Sequence, residues 1–151
     1  MKKSFISLHA RTYAHATEDL GKVKLAFTNA LGSIETKTTR TDGHHGNPIT
    51  VLEAETTDAR AIGEFFGRLS KEDLKALLAT IDERIDDGCN LFLRLDKQAA
   101  YEGVVRLGGG EDVISVRIKV GAFPSRREIA KDIVRTFAHE DLSKRGERSE
   151  R

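Results

Sequence analysis

Across residues 112–120 every second position from Ile114 is apolar, Ile114, Val116, Ile118 and Val120, with Arg117 and Lys119 falling between. A period of two belongs to a strand with one buried and one wetted face, so the chain must build a layer that covers the buried side. Helical spacing supplies that layer. Thr17 offers an N-cap with Glu18 and Asp19 in the first turn, and Leu20, Val23, Phe27, Ala30 and Leu31 recur until Gly32 stops the helix. A second pattern runs through Ala59, Ile62, Phe65, Phe66 and Leu69. A third starts from a fresh cap at Ser70, with Asp73 at its third position, and runs through Leu74, Leu77, Leu78, Ile81 and Ile85 to Gly88. Ser125 and Glu128 form a capping-box pair for the last helix, whose apolar stripe is Ile129, Ile133, Val134 and Phe137.

The remaining strands are shorter. Residues 4–13 alternate, placing Ile6, Leu8 and Ala10 on one face and Phe5, Ser7, His9, Arg11 and Tyr13 on the other. Residues 33–40 and 49–56 read as strands joined by TDGHHGNP, which is longer than a hairpin needs and implies a binding loop or an irregular crossover. Residues 90–95 and 103–107 read as strands, 96–101 as a short helical turn or bulge, and 108–110 as a hairpin turn. Strands thus follow strands, which predicts an α+β fold with a mostly antiparallel sheet and helices packed on one face. One domain is expected over 1–142, and the tail 143–151 has nothing to bury and reads as disordered.

With 25 basic against 24 acidic residues the total charge names no partner, so any attraction for a polyanion must come from a local patch. A single cysteine, Cys89, excludes an intramolecular disulfide and a cysteine zinc cage and fits a reducing, cytoplasmic setting. No segment approaches the ~18 apolar residues of a membrane span, and the first residues lack a signal-peptide core. No membrane partner is expected.

Strand parity gathers His9 and Arg11, Arg94 with Phe92, Arg106, Arg117 and Lys119 on the face opposite the helices. Such a face is a track for phosphates, with Phe5, Tyr13 and Phe92 available to stack on bases, or equally an ordinary solvated sheet surface. Lys97 and Gln98 end a hydrophobic strand, where Lys97 is a candidate phosphate or base contact and Asp96 a cap for the following turn. His15 lies just before the expected Thr17 cap, a place that favours either an anion or simple packing. In GHHGNP, His44, His45 and Asn47 sit between glycines that let a ligand approach the backbone, and a polar turn is the competing reading. Adjacent histidines rarely reach one ion together, although Asp42 and His15 would complete a set if the fold gathered them. No Walker, GxSxG or dinucleotide motif occurs, and no metal, cofactor or catalytic residue is expected.

Taken in order, HATED (15–19) with Lys22 and Val23, GHHGNPI (43–49), LRLDKQAAYEG (93–103) and the strand ending Ile118, Lys119, Val120 resemble an archaeal family described as an RNA-binding domain and predicted exosome subunit. The resemblance implies an α+β fold like that of the ribosomal protein that binds 5S RNA. It implies RNA as partner, with exosome or ribosomal proteins as companions, and a non-enzymatic role. It carries over His15, Thr17, His44, His45, Asn47, Arg94, Asp96, Lys97 and Gln98 as motif residues. The rival readings are a protein-interaction module of such a complex and a histidine-dependent hydrolase or phosphoryl-transfer enzyme.

Overall fold

The computed structural model describes residues 4–42, 46, 48–110 and 112–149. Its elements follow in the order β1 (Phe5–His15), α1 (Leu20–Leu31), β2 (Thr36–Asp42), β3 (Pro48–Thr56), α2 (Ala59–Arg68), α3 (Lys71–Ala79), α4 (Ile81–Arg84), β4 (Asn90–Asp96), α5 (Lys97–Tyr101), β5 (Val113–Val120) and α6 (Arg127–Ser149). The strands form one sheet in the order β2-β3-β1-β5-β4, and every adjacent pair is antiparallel. The fold is α+β: helices pack on one face and leave the other open. Among the described residues no helix is long and apolar enough to cross a membrane.

The alternation in β5 does what a period of two requires. Ile114, Val116, Ile118 and Val120 share one buried core with Leu8, Ala10, Leu52, Leu91, Leu93 and Leu95 of the other strands and with Phe27, Phe65, Phe66, Leu74 and Val134 of the helices. Thr12, also on the covered side, is buried and satisfied by donating to the Val113 carbonyl at 3.0 Å.

One strand breaks its own parity. The pairing of β1 with β5 shifts between Phe5 and Ser7, so Phe5 pairs with Val120 and Ser7 with Lys119, with Ile6 left as the extra residue of a bulge. Phe5 therefore turns into the core, stacked on Phe66 at 4.8 Å and edge-on to Phe137 at 4.9 Å, while Ile6 is 40% exposed. The expectation that put Phe5 on the polar face is corrected, and with it the idea that Phe5 stacks on a base.

Several ends differ from the sequence reading for local reasons. The N-cap of α1 is Asp19 and not Thr17, its carboxylate accepting from the backbone N–H of Gly21 at 2.9 Å and of Lys22 at 3.3 Å. Gly32 ends that helix at φ 64, where a β-carbon is disfavoured. Ser70 caps α3 as expected, accepting from Asp73 at 3.1 Å, but the run to Gly88 is interrupted at Thr80, whose hydroxyl donates back to the Ala76 carbonyl. The Ser125–Glu128 capping box does not form, because Ser125 donates to the Ala122 carbonyl and Glu128 accepts from Lys131.

Residues 103–107 are not a strand: only Leu107 makes a bridge, to Leu95. Leu95 also pairs with Ile114 of β5, so the glycines at 108–110 carry the chain around the end of β4 instead of forming a hairpin turn. β2 and β3 pair out to Asp42 and Pro48, which leaves residues 43–47 between them and makes the connection a hairpin. Beyond Leu142, α6 continues to Ser149, and Arg145 donates to the Phe66 carbonyl at 3.1 Å and to that of Leu69 where α2 ends.

Candidate functional site

Register places the polar side chains of the open face in rows. Arg117 of β5 pairs with His9 of β1 on one side and Phe92 of β4 on the other, and Arg11, Ser115 and Arg94 form the next row along the same strands. These six, with Tyr13, line a shallow trough of about 530 Å³. Strand geometry explains why they meet: alternate residues project to one side and paired residues stand shoulder to shoulder.

The cations in the trough are not equivalent. On β3, Glu53 pairs with Arg11 and Glu55 with His9. Arg11 Nη2 lies 2.7 Å from a Glu53 carboxylate oxygen, and His9 Nε2 lies 3.5 Å from Glu55 and 3.8 Å from Glu53. The Arg11 pKa is raised, first by a hydrogen bond with the Tyr13 side chain, against an opposing effect of burial, and then by Glu53. Arg11 is therefore a permanent cation whose charge is already answered. Arg94 and Arg117 are exposed and have no ion pair among the described residues. The trough arginines without an ion pair among the described residues thus lie on β4 and β5, with acids of β3 beside β1.

The other expected site residues lie elsewhere. Lys119 shares the parity of Arg117, but its ammonium donates to the Gly88 carbonyl in the turn before β4. Arg106 is exposed beside the outer edge of β4 and does not line the trough. His15 is the last residue of β1, paired with Ile49; Thr41 also pairs with Ile49, so Asp42 alternates onto the opposite face and is not gathered with His15. His44, His45 and Asn47 lie outside the described residues.

Lys97 is a structural residue. It is 6% exposed, and its ammonium donates to the Tyr13 carbonyl at 2.9 Å and meets Glu18 at 3.1 Å and Asp112 at 2.7 Å. These contacts tie the ends of β1, β4 and β5 together and leave the side chain unavailable as the phosphate contact expected from the sequence. Gln98 is exposed beside Lys22 and Tyr101, in a recess against α1 and away from the trough. Asp96 caps α5 as expected, accepting from Ala99 at 2.9 Å.

Ser115, Glu53 and Glu55 were missed. The signal for the acids was present, since Leu52 and Ala54 alternate with them in β3, but reading it requires knowing that β3 pairs with β1.

The chain matches, over residues 7–120, a protein family described as RNA binding. An RNA-binding protein of Pyrococcus abyssi is 41% identical over 141 residues, which cover 87% of this chain and 92% of that protein. The solved structure of a DUF54 protein from Methanothermobacter thermautotrophicus is similar with a TM-score of 0.78 at 35% identity, covering 89% of this chain and 98% of that one. That of a UPF0201 protein from Methanococcus jannaschii is similar with a TM-score of 0.61 at 25% identity, covering 85% and 92%.

Proposed function

This chain belongs to the RNA-binding family, and on that premise we propose that it binds RNA through the open face of its sheet. The observation that carries the reading is the pair of exposed guanidiniums, Arg94 and Arg117, on adjacent strands of one trough and without an ion pair among the described residues. Guanidinium groups match phosphate in charge and in hydrogen-bonding geometry. Their backbones are held by the sheet, so the two side chains start from fixed, neighbouring points. His15, at the end of β1, and His44, His45 and Asn47 remain candidate contacts on sequence grounds.

The role that fits is that of a non-catalytic accessory factor in RNA processing, in the exosome or in ribosome assembly, within the cytoplasm. The resemblance to predicted exosome subunits supports it, as does a trough whose groups suit holding an RNA chain. The test is RNA affinity across a salt series for the wild type beside Arg94→Ala/Arg117→Ala. Binding that weakens as salt rises, with a log–log slope about 1.4 shallower in the double variant, is the expected result. Undetectable binding at low salt would overturn the proposal. Co-purification with ribosomal or exosome proteins that survives nuclease treatment would report protein contacts in addition.

A further inference from the structure

Two aromatic rings stand on the open face of the sheet, Tyr13 and Phe92, each 44% exposed. Neither makes a ring contact with another aromatic side chain among the described residues. A large ring left exposed on the open face forgoes the stabilisation that burial would bring. Both rings line the same trough as Arg94 and Arg117, which suits a ligand that offers flat faces beside phosphates.

Their placement says which kind. Tyr13 is on β1 and Phe92 on β4, with β5 between them, and extending the paired register puts them four residue positions apart along the strands. With strand spacing near 4.8 Å and a rise near 3.3 Å, their backbones are about 16 Å apart along a diagonal of the sheet. Ser115 lies at the middle of that diagonal, flanked across the two strands by Arg11 and Arg94, and Arg117 is the cross-strand neighbour of Phe92. The small serine keeps the floor low while the cations rise on both sides.

Resting on the RNA-binding reading above, we infer that the ligand is an unpaired RNA segment that crosses β1, β5 and β4 on this diagonal, one base stacking on Tyr13 and another on Phe92. The span accommodates about two or three splayed bases, the number that sheet-borne aromatics hold elsewhere. A duplex offers phosphates to Arg94 and Arg117 but keeps its base faces stacked internally, so it leaves both rings unused.

The test compares a labelled single-stranded RNA oligonucleotide with the same strand annealed to its complement, using the full chain. The single strand is expected to bind more tightly. Phe92→Ala and Tyr13→Ala are each expected to weaken it about ten-fold while leaving duplex affinity unchanged, and Phe92→Tyr and Tyr13→Phe are expected to retain binding. Phe92→Leu, which keeps bulk but loses the flat ring, must behave like Phe92→Ala. If the duplex binds as well as the single strand, or the ring variants change nothing while Arg94→Ala/Arg117→Ala still weakens binding, this inference fails and the RNA-binding reading stands. If neither RNA form binds at low salt, both fail.

Discussion

Arg11 and Glu53 face one another in register across β1 and β3, with guanidinium and carboxylate 2.7 Å apart. The pair draws a boundary on the open face: Arg11 on β1 is answered by an acid of β3, whereas Arg94 and Arg117 on β4 and β5 have no ion pair among the described residues. A near-neutral chain thereby presents a locally basic surface, since the sum over all residues says nothing about how charges are arranged.

Glu53→Gln removes that boundary and leaves Arg11 free to meet a phosphate. RNA binding is expected to tighten, and its dependence on salt to steepen by about 0.7 in log–log slope, one extra released counterion on a single strand. Because both partners are partly exposed, the variant is expected to lose at most about 1 kcal/mol of stability. An unchanged or shallower slope would place the RNA away from β1.

Lys97 separates a structural role from a contact role. Its ammonium is buried while Glu18 is partly and Asp112 mostly exposed, so in Lys97→Met the carboxylates can be solvated but the Tyr13 carbonyl loses its side-chain donor. Urea unfolding is expected to show a loss of about 1–3 kcal/mol. RNA affinity, compared where both proteins are fully folded, is expected to stay unchanged; a large loss there would return Lys97 to the binding surface.

Two phenylalanines of similar sequence setting are expected to respond oppositely. Phe5→Ala opens a cavity beside Phe66 and Phe137 and is expected to cost about 3–5 kcal/mol. Phe92→Ala removes an exposed ring and is expected to stay within about 0.5 kcal/mol of the wild type. Comparable losses at both positions would contradict the bulge that sends Phe5 inward.

Phe5 also shows where sequence reading stops. Alternation correctly assigned Leu8, Ala10, Ile114, Val116, Ile118 and Val120 to the core, and Arg11, Phe92, Arg94 and Arg117 to the open face, because a strand's parity is a local property. A bulge inserts one residue and reverses that parity upstream of it, and nothing in FIS marks its position. The fates of Lys97 and Arg11 were hidden for another reason. Their partners, Glu18 and Asp112 for one and Glu53 for the other, are distant in sequence and become neighbours only once strand order and register are fixed. Helix caps failed by smaller margins: Thr17 and Asp19 are both competent caps, and the turn made by Glu18 N–H to the His15 carbonyl decides between them.

Asp82 offers a test by pH. It joins α4 to α6 through Lys131 Nζ at 2.8 Å, while Arg127 holds the Ile85 carbonyl at 2.7 Å on the same seam. The hydrogen bond and charge of Lys131 lower the Asp82 pKa below its ordinary 3.8, and the Lys131 pKa is raised above 10.5 by its bonds to Asp82 and Glu128. For a depressed carboxyl the folded state binds its proton less readily than the unfolded chain. Its contribution to stability is therefore complete above the unfolded value and is lost as pH falls through the folded one. The raised lysine contributes fully below 10.5 and fades as pH rises through its folded value. Urea midpoints of wild type and Asp82→Asn are thus expected to differ by a constant amount across neutral pH and to converge below about pH 4. A gap that persists undiminished into strong acid would show that Asp82 acts there through packing and not through charge.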